Sequence, residues 1–278
     1  MDVLRYVAFA HGPAGGNPAG VVLDATGLDD ATMLETAAEV GYSETAFVVP
    51  SDDGFLDVRY FSPLAEVPFC GHATIATAVA YAHRHGVGLL RLRTKAGPVP
   101  VTTSVAADGS VLASLVSVAP RSEPIAEADL TELLTALRWP ATDLDPALPP
   151  RAAYAGAWHP VIAAESRERL ASLDYDMPAL AALMERRDWA TIDLIWRESP
   201  AVFHARNPFP PGGVVEDPAT GAAAAALGGY LREQGLVTTP ATLTVHQGID
   251  MGRPSKIFVT VPTESSSGIQ VTGTAVPV

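Results

Sequence analysis

Four side chains in this sequence combine useful chemistry with a telling position: Glu44, Cys70, His72 and Asp217. Glu44, in Ser43-Glu44-Thr45, opens an otherwise apolar run. A carboxylate at a cleft edge can take and return a proton, although the position also suits a solvent-facing strand glutamate. His72 stands at the first turn of an expected helix, whose positive end favours a neutral imidazole able to accept or relay a proton; a lone histidine there also serves as a cap or surface residue. Asp217 precedes Pro218, which favours extended backbone, just ahead of a second expected helix. Its carboxylate can cap that helix or hold a substrate ammonium. Cys70 can act as nucleophile or base, since helix N-termini favour thiolates, but burial as a small apolar residue is the expectation. Glu216 reads as a partly exposed loop carboxylate, and His83 and His85 as exposed residues at a helix end.

The elements that must position these groups follow from periodicity and breakers. Residues 4–10 and 20–23 read as strands around a loop rich in Gly and Pro. The spacing of Met33, Ala37, Ala38 and Val40, with Asp29 or Asp30 as cap and Gly41 as stop, predicts a helix over 30–40. Strands are expected over 45–49 and 56–61, then a helix of small residues over 74–85 closed by Gly86, a hairpin over 89–105 and a strand over 111–118. Residues 143–151 have the makings of a surface connection, and 207–213 of a stiff loop at a cleft mouth. Gly12, Gly15, Gly16 and Gly20 lack dinucleotide or phosphate-loop spacing and read as turns.

The second half replays the first. At an offset of 150, Glu66-Val67-Pro68-Phe69-Cys70-Gly71-His72-Ala73 lies over Glu216-Asp217-Pro218-Ala219-Thr220-Gly221-Ala222-Ala223, with Glu, Pro, Gly and Ala matching in place. Each copy follows an extended aromatic segment and precedes an alanine-rich helix ended by glycine and then β-rich sequence. Two such halves predict two helix N-termini facing a common cleft, where unpaired N–H groups hold a carboxylate and stabilise enolate-like charge. No metal or nucleotide cofactor is required.

Composition sets the bounds. A chain of 278 residues with 48% hydrophobic and 18% charged residues is long enough for two modest cores and well outside the disordered regime. A formal net charge of −13 argues against nucleic acid and anionic membranes as partners, while backbone amides can still bind a small anionic or zwitterionic substrate. The start lacks a basic, then apolar, leader and no run approaches membrane-spanning length, so the expected location is the cytoplasm. One cysteine excludes an intramolecular disulfide and a cysteine-rich zinc site.

Gly16-Asn17-Pro18-Ala19-Gly20, Ser43-Glu44-Thr45-Ala46-Phe47, Phe69-Cys70-Gly71-His72-Ala73-Thr74 and Glu216-Asp217-Pro218-Ala219-Thr220-Gly221 together resemble the PhzF family of phenazine-biosynthesis-like proteins. The resemblance implies an α/β (α+β) protein of diaminopimelate-epimerase-like fold. It has two pseudo-symmetric domains, each a curved sheet or barrel around a central helix. The boundaries expected here are 1–118 with a returning strand in 269–278, and 119–268. It further implies a cofactor-independent isomerase that moves a proton and a double bond on a small amino acid or related carboxylate. Glu44 is then the acid/base, with His72 and Asp217 in the active site and Asn17, Ser43, Gly71, Ala73, Thr220, Gly221 and Ala222 around the substrate. Ala222 departs from the serine of many relatives, which puts the phenazine-pathway substrate itself in question. Thr220, where two-thiol epimerases carry a second cysteine, disfavours racemisation by paired thiols. A racemase on the same scaffold and a non-catalytic binder of small acids are the alternative readings, and family habit implies a homodimer.

Overall fold

The computed structural model describes residues 1–12 and 14–278. The chain divides into two compact units, Met1–Val116 with Thr272–Val278, and Ser117–Val271. In each, a sheet curves around one central helix.

In the first unit, Leu4–Ala8 pairs antiparallel with Asn17–Val22, which runs parallel to Glu44–Pro50. That strand pairs antiparallel with Leu56–Phe61, itself parallel to Leu89–Thr94, and Gly97–Val105 and Val111–Val116 continue antiparallel. Gln270–Pro277 lies between Val111–Val116 and Leu4–Ala8 and closes the barrel, with Val7 opposite Val276. Closure gives both edge strands a partner. The barrel encloses Gly71–His85, whose residues are small on every side, so that each from His72 to Ala80 is buried.

Helix Asp30–Val40 covers the outer face. Asp29 caps it by accepting from the Thr32 amide at 2.8 Å, and Gly41 ends it at φ 71°. Met33 and Ala37 pack there with Val22, Phe47 and Phe61. Side chains alternate along a strand, so with those three facing outward, Asn17, Glu44 and Tyr60 face the central helix.

In the second unit the sheet order is Arg121–Pro124, Arg151–Tyr154, Trp158–Ala163, Asp193–Ser199, Val202–Phe209, Ala241–Gln247 and Ser255–Val261. The same two kinds of parallel pair recur, Trp158–Ala163 with Asp193–Ser199 and Val202–Phe209 with Ala241–Gln247. Strands at both ends of this sheet pack on the central helix Gly221–Glu233, so the sheet wraps it. Helices Glu127–Leu137, Arg167–Ala171 and Met177–Arg187 cluster over the outer face with Ile162, Ile192 and Leu194. Alternation then turns His159 and Asp193 inward.

Glycine permits the close approach of helix and chain: a Cβ on Gly229 would collide with the Pro120 ring. We expect Gly229→Ala to cost about 1–3 kcal/mol, the usual effect of overpacking, despite alanine's better helix propensity. An unchanged or raised urea midpoint would show that the site tolerates the extra methyl.

The repeat at offset 150 carries a shared brace. Arg59 Nε and Nη2 donate to Glu66 Oε1 and Oε2 at 2.8 and 2.7 Å, and Arg206 grips Glu216 in the same bidentate way. Glu216 therefore departs from the loop position expected for it. It lies in strand Val214–Asp217, 8% exposed, because a forked guanidinium partner makes burial of its charge tolerable. The expected loop over 207–213 is also shorter. Asn207 to Phe209 complete a strand paired with Val214–Asp217, and only Pro210–Gly212 form a 3-10 turn. Within 143–151, Leu148 is buried, so that connection contributes to the core. Among the described residues no helix is long and apolar enough to cross a membrane.

Candidate active site

The first unit gathers Asn17, Ser43, Glu44, Cys70 and His72 around one imidazole. Asn17 is the first residue of its strand and Glu44 the first of the strand parallel to it, so the register brings both to the same end of the barrel. His72 is the second residue of the central helix and reaches them from its N-terminus. Asn17 Nδ2 donates to His72 Nδ1 at 3.2 Å. An amide nitrogen only donates, so the imidazole proton sits on Nε2, which lies 3.3 Å from Glu44 Oε2 and 3.4 Å from Ser43 Oγ. Cys70 Sγ is 3.4 Å from Nδ1.

The His72 and Glu44 side chains are 8% and 18% exposed, so the pair is largely withdrawn from water yet still reachable. Cys70 is buried, as expected of it, and its side chain makes no capping bond to the helix it precedes. The first-turn amides, those of Gly71 and Ala73 among them, thus present the ordinary positive end of a helix beside the carboxylate. Tyr60 OH bonds Thr74 Oγ1 at 2.7 Å, and Thr74 Oγ1 donates to the Cys70 carbonyl at 2.7 Å, which fixes the turn carrying the thiol.

In the second unit Asp217, Thr220, Gly221 and Ala222 gather at the start of the other central helix. Asp217 does not cap it: Thr220 is the cap residue, and its Oγ1 donates to Asp217 Oδ2 at 2.6 Å. Gln247, absent from the sequence-derived candidates, ties this corner together. Its Nε2 donates to the Asp217 carbonyl at 2.7 Å and to Thr220 Oγ1 at 2.9 Å, and its Oε1 accepts from the Thr220 amide at 2.9 Å. Gly221 and Ala222 are half-buried, and Ala222 occupies the place corresponding to His72.

Behind Asp217 lies a fully buried polar chain that sequence reasoning also missed. His159 Nδ1 donates to Thr191 Oγ1 at 2.8 Å, Thr191 Oγ1 donates to Asn207 Oδ1 at 2.7 Å, and Asn207 Nδ2 donates to Asp193 Oδ1 at 3.1 Å. Asn207 is the ladder partner of Asp217, so the chain anchors the strand that bears it. Burial pushes the Asp193 carboxyl up to about 7, opposed by the Asn207 bond, and pushes His159 down to about 4. Imidazole, carboxyl and amide thus recur on the inner face of both units, as His72, Glu44 and Asn17 in one and His159, Asp193 and Asn207 in the other. A faint sequence echo exists: Asn17-Pro18 opens, and His159-Pro160 lies one residue into, the strand that runs parallel to the carboxylate's own.

Residues 6–278 match the PhzC-PhzF family, described as phenazine biosynthesis-like protein. The chain is 31% identical to an uncharacterized isomerase, YfhB, of Bacillus subtilis, over 99% of this chain and 96% of that one. It is 32% identical to trans-2,3-dihydro-3-hydroxyanthranilate isomerase of Pseudomonas aeruginosa, over 97% and 95%. A Bacillus anthracis phenazine biosynthesis protein of the PhzF family superposes with a TM-score of 0.88 at 29% identity, covering 100% of this chain and 98% of that one. A probable proline racemase from Agrobacterium radiobacter shares the fold at a TM-score of 0.67 and 13% identity, over 99% and 90%.

Proposed function

The chain belongs to the PhzC-PhzF family and is an isomerase of diaminopimelate-epimerase-like fold, and from that premise we propose that it moves a proton, and with it a double bond, on a small amino acid or related carboxylate without a cofactor. The observation that carries this reading is the Glu44–His72 pair, held 3.3 Å apart at an uncapped helix N-terminus with the imidazole tautomer set by Asn17. Glu44 takes the proton from a carbon near the substrate carboxylate and returns it at another carbon. His72 Nε2–H keeps the carboxylate aimed, and helix amides stabilise the charge that develops on the substrate. For the second unit we propose that Asp217 holds a substrate ammonium and that Thr220, Gly221 and Ala222 offer a hydroxyl, a backbone amide and a small side chain. Ala222 has no hydroxyl to give, which favours a substrate with one polar group fewer there.

The relative in Pseudomonas aeruginosa is named for a cyclic amino acid, trans-2,3-dihydro-3-hydroxyanthranilate. That compound heads the panel for the test, which follows cyclic and acyclic amino acids by NMR in deuterated water. Migration of the vinyl signals supports isomerisation. Deuterium incorporation with inversion of a centre makes the protein a racemase, and neither change across the panel makes it a binder.

Thr220 stands where two-thiol racemisation needs a second cysteine, and a hydroxyl is a poor base. We therefore expect Cys70→Ala to keep a sizeable fraction of activity while losing about 1–3 kcal/mol of stability from the cavity. A folded, ligand-binding variant without turnover would restore the thiol-base mechanism. The reading also includes a cytoplasmic homodimer. Light scattering at micromolar concentration should give twice the 29.0 kDa of one chain, and a persistent monomer would sink that part.

A further inference from the structure

Gln247 carries no charge and lies in the other unit from the Glu44–His72 pair, yet it is 1% exposed and its three side-chain hydrogen bonds among the described residues all go to Asp217 or Thr220. We propose that Gln247 is a positioning residue of the active site. It commits the Thr220 hydroxyl proton to Asp217, so that carboxylate and hydroxyl meet the substrate as acceptors and select a protonated amine. The substrate part of this inference rests on the roles given to Asp217 and Thr220 above, whereas the direction of the hydroxyl does not.

Main-chain partners fix which end of the amide is which. Oε1 faces the Thr220 N–H at 2.9 Å, and an N–H only donates; Nε2 faces the Asp217 carbonyl at 2.7 Å, and a carbonyl only accepts. The second Nε2 hydrogen is then directed at Thr220 Oγ1, 2.9 Å away. A hydroxyl has a single proton. Accepting from Gln247, and 2.6 Å from Asp217 Oδ2, Thr220 Oγ1 gives that proton to the carboxylate in a charge-assisted bond. What the hydroxyl has left to offer a substrate is a lone pair. A protonated amine, with several N–H donors and the charge opposite to that of Asp217, matches this pair of acceptors, whereas a carboxylate is repelled by it.

Gln247 is itself firmly placed. Its strand turns Leu243, Val245 and Gln247 inward, and ladder partners flank it on both sides, Ala205 on one and Ser255 on the other. Gly248 follows at φ 73°, where a Cβ would run into the carbonyl oxygens of Arg253 and Pro218. The turn after Gln247 therefore lies directly against the segment that carries Asp217. Gln247 thus fixes Asp217 twice, its carbonyl directly and its carboxylate through Thr220. Without the amide donor, the Thr220 hydroxyl could swing its proton away from Asp217 and toward the substrate, setting a donor against an ammonium.

NMR of ¹³C-labelled full-length protein without substrate tests the hydroxyl. The parent should show a slowly exchanging Thr220 hydroxyl proton coupled across its hydrogen bond to the Asp217 carboxyl carbon. Gln247→Met, which keeps the length of the side chain and loses both donors, should lose that coupling. A hydroxyl proton in fast exchange in the parent, or a coupling that survives in Gln247→Met, overturns the proposal. Turnover of trans-2,3-dihydro-3-hydroxyanthranilate tests the rest. Thr220→Val and Gln247→Met should each raise KM about ten- to a hundredfold, the range of a hydrogen bond to a charged group, and lower kcat less, while Thr220→Ser keeps the parent KM. Because Gln247 acts through Thr220, the double variant should stay within about twofold of Thr220→Val alone; effects that multiply mean two independent structural roles and overturn the proposal. If Gln247→Met does not fold, the parent hydroxyl and the contrast between Thr220→Val and Thr220→Ser decide. If the parent leaves this compound unchanged, that substrate falls and the hydroxyl proton decides alone. If the coupling behaves as described yet KM does not move, the hydroxyl direction stands and the assignment of Asp217 and Thr220 to a substrate amine falls.

Discussion

Glu44→Gln should abolish turnover while leaving folding and ligand binding nearly intact. The amide keeps the size of the carboxylate and its place beside the His72 ring, 3.3 Å away in the parent, but it cannot take up a carbon-bound proton. A positioned general acid/base contributes roughly 10²–10⁴-fold, so single-turnover rates should fall by that much while the dissociation constant stays within a few-fold. His72→Asn should do less damage, since the proposed mechanism gives proton abstraction to the carboxylate itself. The imidazole orients that carboxylate from 3.3 Å away, and water can partly replace the ring. A near-parent rate in Glu44→Gln, with binding unchanged, would move the chemistry to His72 or Asp217.

The second large effect concerns pH and the buried chain of the second unit. The Asp193 carboxyl is raised to about 7 from an ordinary 3.8, so the folded protein keeps a proton there that the unfolded chain has lost. Its contribution to stability is complete below pH 3.8 and is lost as pH rises through 7. His159 is lowered to about 4 from 6.5, so the unfolded chain takes up a proton that the folded protein refuses. Its contribution is complete above pH 6.5 and is lost as pH falls toward 4. Between about pH 4 and 6.5 the two slopes oppose each other, each at up to about 1.4 kcal/mol per pH unit, and largely cancel. Asp193→Asn, which keeps the acceptor for Asn207, should therefore make stability climb with pH across this window. His159→Asn should make it fall. Urea midpoints at pH 4.5, 5.5 and 6.5 check both, and parallel profiles for parent and variants would refute the assignment.

The sequence is most legible where a signal is local. Helix Asp30–Val40 follows from an apolar spacing bracketed by an Asp cap and a glycine stop, and the structure has both. The two central helices are legible because a matching octapeptide precedes each, and Glu44 and His72 because their motifs are contiguous. The residues that escaped notice work through partners far away in the chain. Gln247 reaches Asp217 and Thr220 across 27 to 30 positions, and Asp193 meets His159 only through Thr191 and Asn207. In one sequence each of these is a single polar residue at the end of an apolar run, indistinguishable from a strand terminus meeting solvent. Glu216 went the same way: its burial depends on Arg206, which only the hairpin register brings alongside.

Barrel closure in the first unit has a consequence for how the protein is made. Tyr6 pairs with Pro277, so the strand that seals this barrel, Gln270–Pro277, is synthesised only after residues 117–269. A nascent chain emerging from the ribosome therefore carries a precursor of this unit, open along Leu4–Ala8 and Val111–Val116, for as long as the second unit takes to translate. The second unit, contiguous in sequence, can mature while still tethered, whereas the one holding Glu44 and His72 waits for Gln270–Pro277. The barrel around Glu44 and His72 is thus completed only once that strand has left the ribosome, and synthesis interrupted before it yields a chain whose first barrel stays open.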